Sequence, residues 1–142
     1  MQITKELIRK LPKAELHLHL DGSLRISTIL DLANKQKIIL PASNEEDLKS
    51  LLVINGKVNN LDDYLERFSI TLSVLQTPDS LTRAANELAE DCWNDGVRYV
   101  EVRYSPILHT KKGMTLAESV DAVKKGLQKA EDDKIIKTAK IS

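Results

Sequence analysis

The chain has a single cysteine, Cys92, and no apolar run approaching the roughly 20 residues that a membrane span needs. The first scarcity excludes an internal disulfide framework and any zinc site built from several thiolates, and it points to a reducing, cytoplasmic setting. The second leaves no candidate transmembrane helix. Met1 to Pro12 lacks the apolar core of a secretory signal, because Lys5, Glu6, Arg9 and Lys10 interrupt it. Charge of one sign is also missing. Twenty-one Lys plus Arg balance 21 Asp plus Glu, so no whole-molecule field exists to gather nucleic acid or an anionic membrane. No repeat of solenoid period and no low-complexity segment occurs. What is there, 42% hydrophobic and 30% charged over 142 residues, is the composition of one globular unit, long enough to bury roughly two-thirds of its unfolded surface.

The pattern along the chain predicts alternating strands and helices. Ala14 to Leu20 places Leu16, Leu18 and Leu20 on one strand face and Glu15, His17 and His19 on the other. Asp21-Gly22-Ser23 supplies turn chemistry, and Ile26, Ile29, Leu30 and Ala33 follow at helical spacing. Asn44 to Leu52 is a short helical candidate, Val53 to Asn60 reads as loop, and Leu61, Tyr64, Leu65, Phe68, Leu72 and Leu75 form a helical stripe. Thr77-Pro78 predicts a helix start, whose buried face runs from Leu81 through Cys92 to a stop at Gly96. Val97 to Tyr104 is a second strand, ended by Ser105-Pro106; Thr115 with Glu118 opens a further helix; Lys134 to Ile141 begins a third strand. Parallel strands joined by helical crossovers are the expected α/β architecture. The stretch between the first two strands, Ile26 to Asp95, is too long for one crossover helix and is expected to cover one end of the sheet.

The chemistry concentrates at His17-Leu18-His19. Histidines two apart on a strand share a face with Cα atoms about 6.5 Å apart, so both imidazoles can reach one metal ion at about 2.0 to 2.1 Å. The leucines between them would anchor the strand on the other face. In parallel β/α folds, binding groups gather at the carboxyl ends of strands, and Asp21 lies just beyond the pair. A lone His-x-His also fits a solvated strand face. It further fits the metal-dependent phosphoesterase pattern of the PHP type, although Leu20-Asp21-Gly22-Ser23 follows here instead of that pattern's threonine.

Pro12-Lys13-Ala14-Glu15-Leu16-His17-Leu18-His19-Leu20-Asp21-Gly22-Ser23-Leu24 resembles the opening signature of the adenosine deaminases, in the amidohydrolase superfamily. Tyr99-Val100-Glu101-Val102-Arg103-Tyr104-Ser105-Pro106 is similar to that family's second strand and following turn. The resemblance spans the chain and implies the N-terminal part of a (β/α)8 TIM barrel, with about three parallel strands and a helical insertion between the first two. It implies one Zn2+ per complete site and hydrolysis of adenosine or 2′-deoxyadenosine to inosine or deoxyinosine and ammonia, a step of purine metabolism. Water is the nucleophile, made available near neutral pH by the metal. By the same resemblance His17 and His19 are metal ligands, Asp21 holds the ribose 5′-hydroxyl, Gly22 admits the ligand close to the backbone, and Leu65 and Phe68 line an apolar subsite. The helical spacing of Leu65 and Phe68 is equally that of ordinary core packing.

Several parts of such a site have no motif here. The family's His-Ala-Gly-Glu block with its general acid, its later zinc histidine and its paired aspartates are expected downstream, so residues 1–142 are read as one incomplete barrel domain with no catalytic group of its own. The isolated piece is expected to lack turnover without the missing C-terminal part. The alternatives are a non-catalytic barrel module that binds a partner through its sheet edge, an adenine deaminase, or the phosphoesterase. Glu101 and Arg103 share a strand face and are read as structural, Cys92 as core, and His109 as a surface-loop residue.

Overall fold

A computed structural model describes residues 2–53, 61–133 and 137–141, with the backbone alone at 61–64 and 66. The element order is α1 (Lys5–Lys10), β1 (Lys13–His19), α2 (Ile26–Gln36), α3 (Glu45–Leu52), α4 (Leu61–Val74), α5 (Pro78–Asn94), β2 (Val97–Arg103), a 3-10 turn (Pro106–His109), α6 (Leu116–Asp133) and β3 (Lys137–Ile141). The three strands form one parallel sheet in the order β1-β2-β3. The expected strands and helices are all present. Of the expected loop Val53 to Asn60, residues 54–60 lie outside the described residues, as do 134–136 at the head of the third strand. Helix α1, capped by the Thr4 hydroxyl, which accepts from the Leu7 amide, was not foreseen. No helix of the described residues is long and apolar enough to cross a membrane.

Local chemistry starts the two long helices. Thr77 Oγ1 accepts from the Ser80 amide at 3.2 Å while Ser80 Oγ accepts from the Thr77 amide, with Pro78 in the first turn. At the head of α6 the Thr115 and Glu118 side chains exchange the same reciprocal bonds with each other's amides. Small residues then let these helices touch. A Cβ added at Gly126 would stand 2.2 Å from the Thr82 carbonyl oxygen and 2.8 Å from Ala85 Cβ, so glycine sets the approach of α6 to α5. Both helices cover one face of the sheet, where Leu20, Val100 and Val102 are fully buried with Leu81, Ala85, Leu88 and Val123.

An ionic cluster fastens α2 onto α5. Arg25 holds Asp91 through two nitrogens, at 3.0 Å and 2.7 Å, and also reaches Glu90; Arg83 joins Asp31 and Glu87; and the Thr28 hydroxyl donates to Glu87. The forked geometry of the Arg25 pair fixes orientation as well as distance. It fixes the start of α2 against the C-terminal part of α5.

Strand β1 departs from simple alternation. Glu15 lies opposite Val100 and Leu18 opposite Val102, so β1 spends three residues where β2 spends two. This one-residue bulge puts Glu15 on the helix-covered side, where Val100 and Val102 point. It also turns Leu16, expected to be buried with Leu18 and Leu20, onto the open face at 56% exposure. The face of the histidines survives, because both follow the inserted residue.

Candidate functional site

The carboxyl end of β1, the turn after it, the start of α2, the end of α3 and one face of α4 enclose a cavity of about 390 Å³. His17, His19, Asp21, Gly22, Phe68 and Thr71 line it, with Ile26, Ile29 and Leu52 among its apolar walls. The structure therefore brings together five of the six residues singled out from sequence. Leu65 stands apart: it is 54% exposed and is not among the lining residues. On α4 it lies three positions before Phe68, about 300° around the helix, and the ring of Phe68 takes the inward place.

The two imidazoles converge. His17 Nε2 and His19 Nε2 are 3.2 Å apart, with ring centroids at 5.2 Å and planes tilted by 36°. Two nitrogens at about 2.0 to 2.1 Å from one tetrahedral zinc ion would be separated by about 3.3 Å, so the pair fits a shared metal as it stands. Each histidine backbone is tied by a neighbouring side chain. Glu15 Oε1 accepts from the His17 amide at 3.3 Å, and the Ser23 hydroxyl donates to the His19 carbonyl at 2.5 Å. Among the described residues no group of three or more His, Cys, Asp or Glu could hold a metal ion.

Asp21 is buried, and its Oδ1 has no hydrogen-bond partner among the described residues. It lies 3.8 Å from His19 Nδ1, beyond hydrogen-bond length. A buried carboxylate oxygen left in this way calls for a donor, and Asp21 lines the cavity from which one can arrive. Gly22 lies against Phe68: an added Cβ would sit 3.7 Å from the ring, in ordinary contact, so what matters there is the space a longer side chain would take from the cavity.

Sequence reasoning missed Arg67 and Thr71. Both line the cavity, and Arg67 Nη1 is buried without a hydrogen-bond partner among the described residues. Thr71 lies three residues after Phe68, so helical spacing carried the signal for it; the Arg67 signal was hidden in a helix face that reads as solvated. His109 requires a correction. It was expected in a surface loop, yet it is fully buried at the end of the 3-10 turn. Its Nδ1–H donates to the Leu75 carbonyl at 2.9 Å, and its ring centroid is 6.0 Å from that of Tyr104. Burial pushes its pKa below the ordinary value of 6.5, against the opposing pull of the Leu75 bond and the Asp21 charge. Glu101 accepts from the Tyr99 hydroxyl at 2.9 Å on the open face. Cys92 is buried and unpaired, and burial, with the charge of Glu15 next in effect, pushes its thiol up to about 11, far from a reactive thiolate.

Comparison with known proteins matches residues 12–141 to the adenosine deaminase family. An adenosine deaminase of Clostridium botulinum (strain 657 / Type Ba4) is 49% identical over 123 residues, 87% of this chain and 37% of that protein. The adenine deaminase of Arthrobacter aurescens superposes with a TM-score of 0.78 at 31% identity, over 89% of this chain and 38% of that one. An amidohydrolase of Burkholderia ambifaria, solved with bound Zn, shares the fold with a TM-score of 0.79 at 24% identity, over 99% of this chain and 38% of that one. The chain thus spans well under half the length of the relatives it matches.

Proposed function

The chain belongs to the adenosine deaminase family, and from that premise we propose that it contributes two metal ligands and part of the nucleoside pocket to a zinc-dependent hydrolase. The reaction is conversion of adenosine or 2′-deoxyadenosine to inosine or 2′-deoxyinosine with release of ammonia. The observation that carries this reading is the 3.2 Å approach of His17 Nε2 to His19 Nε2 at the wall of a cavity that also holds the buried Asp21.

His17 and His19 would hold zinc through Nε2. Zinc, when bound, supplies a Lewis acid that brings the pKa of a water molecule down toward neutrality. The remaining work of this chain is binding and orientation. Asp21, an acceptor on both oxygens when ionised, takes a hydrogen bond from a ribose hydroxyl and answers the need of its unpartnered Oδ1. Gly22 keeps the cavity open beside it, and Phe68 offers an apolar ring to the purine. The further metal ligands, the general acid and the carboxylate that orients water are assigned to a longer barrel of which residues 1–142 form one incomplete part, so this piece alone is expected to give no useful turnover.

The test has two arms. Metal analysis and cobalt titration of the chain should saturate at one ion per molecule, and His17→Ala or His19→Ala should abolish that binding. Ammonia release from adenosine should require the chain together with the rest of the barrel. Comparable turnover by the chain alone would overturn this division, and unaltered metal binding in both alanine variants would overturn the ligand assignment. The likeness to the Arthrobacter adenine deaminase favours free adenine as a second reading; initial rates on adenosine and adenine decide between them.

A further inference from the structure

Alternation along Ala14 to Leu20 would put Glu15 on the face of His17 and His19, where a carboxylate could compete for the same metal ion. The structure does something else with it. Because β1 spends three residues between Glu15 and Leu18 against the two between Val100 and Val102, Glu15 crosses to the side of Val100 while the histidines keep the open face. A bulge takes a residue out of the ladder and leaves local backbone groups without their regular partners. Here the amide of His17 lies in the bulged segment, and the carboxylate of Glu15 accepts from it at 3.3 Å. The half-buried side chain of Glu15 thereby bonds the backbone of the first histidine from two residues away.

We propose that Glu15 is a positioning residue for the metal pair: by holding the His17 amide it pins the bulge of β1 and so sets the approach of His17 Nε2 to His19 Nε2. The direction of a Cα–Cβ bond follows from the backbone that carries it. A bulge free to slip would turn the His17 ring relative to that of His19, whose own carbonyl is held independently by Ser23. Glu15 touches neither metal nor substrate; it acts on the orientation of a ligand, as side chains behind metal ligands commonly do. The inference rests on the metal reading above only for its consequence, because the hold on the His17 amide is a property of the chain itself.

Three variants of the 142-residue chain test it. Glu15→Gln keeps an acceptor oxygen at the same reach, Glu15→Asp keeps the charge but shortens the arm, and Glu15→Ala removes both. Amide hydrogen exchange should accelerate at His17 in the Asp and Ala variants, by about tenfold or more, and stay near the parent rate in the Gln variant, with the His19 amide unmoved in all three. Cobalt affinity should fall about tenfold in the Asp and Ala variants and stay within about twofold in Gln, while the thermal midpoint changes little. A role confined to stability would lower the midpoint of all three without separating the Gln variant in affinity or exchange. Equal losses in the Ala and Gln variants would mean that charge, and not the hydrogen bond, is what matters, and would overturn the proposal; so would an unchanged His17 amide in the Asp and Ala variants. Should the Ala variant fail to fold, the Asp and Gln pair carries the same contrast. Should the parent chain bind no cobalt, the metal reading fails, and exchange at His17 alone then decides whether Glu15 holds the bulge.

Discussion

On the helix-covered face of the sheet Leu20, Val100 and Val102 are fully buried, whereas on the opposite face Leu16 is 56% exposed, Tyr99 is 36% exposed and both histidines face the open. The two faces belong to the same strands. One is packed by α5 and α6 through small residues and branched aliphatics; the other carries both histidines together with Tyr99 and Glu101. The difference separates two demands that would otherwise conflict, since burial on one side fixes a backbone whose other side can stay polar and open. It also locates where substitutions should cost stability and where they should cost binding.

The sharpest way to break the comparison uses two leucines four residues apart. Leu20→Ala should cost about 3 kcal/mol in urea unfolding, the usual range for a fully buried leucine whose cavity cannot collapse, whereas Leu16→Ala should stay within about 0.5 kcal/mol. If Leu16→Ala proved as costly as Leu20→Ala, the open face would be covered in solution and the contrast between faces would fall. The next largest effect belongs to the helix pair. Gly126→Ala gains about 1 kcal/mol of helix propensity, but the new methyl would meet the Thr82 carbonyl oxygen at 2.2 Å, and overpacking of this kind costs roughly 1 to 3 kcal/mol or more. A net loss of about 2 kcal/mol is expected by the same measurement; a net gain would show that α6 can slide away from α5 freely and that the covered face is less tightly set than it looks.

These contrasts also mark how far the amino-acid sequence could be read. Thr77-Pro78 and Thr115 with Glu118 announced their helices because capping is decided by residues three apart. Valine at 97, 100 and 102 announced the second strand because branched side chains recur there. The bulge of β1 was not legible, since Glu15 to Leu20 alternates without fault and only pairing with β2 reveals the extra residue. That is why Leu16 and Glu15 changed faces while His17 and His19 did not. Within the site, His17, His19, Asp21 and Gly22 were legible because they stand together in six residues of chain. From α4 the family resemblance pointed to Leu65 and Phe68 and only Phe68 lines the cavity, because a helical stripe does not say which of its members a neighbouring turn will cover. Arg67 and Thr71 reach the cavity only through the way α4 lies over Gly22. His109 was misplaced for a different reason. A polar residue after Ser105-Pro106 looks like loop, and nothing local shows that the Leu75 carbonyl, 34 residues away, accepts from it inside the core.

The smallest expected effect concerns that same histidine and brings pH into the comparison of faces. Burial holds the His109 pKa below its ordinary value of 6.5, so the unfolded chain takes up the proton first as pH falls. The stability this residue contributes is therefore complete above about pH 6.5 and is lost as pH falls toward the lower value of the folded state. His109→Asn removes the titration while keeping a donor near the position of Nδ1 for the Leu75 carbonyl. Thermal midpoints followed from pH 7.5 to 5 should decline more steeply for the parent than for this variant, whatever their difference at pH 7.5. Parallel curves would place the acid sensitivity elsewhere and would mean that the imidazole buried behind Asp21 takes up its proton without opening the core. A shallower curve in the variant would assign part of the acid limit of the core to one side chain, whose ring donates to the Leu75 carbonyl between α4 and α5.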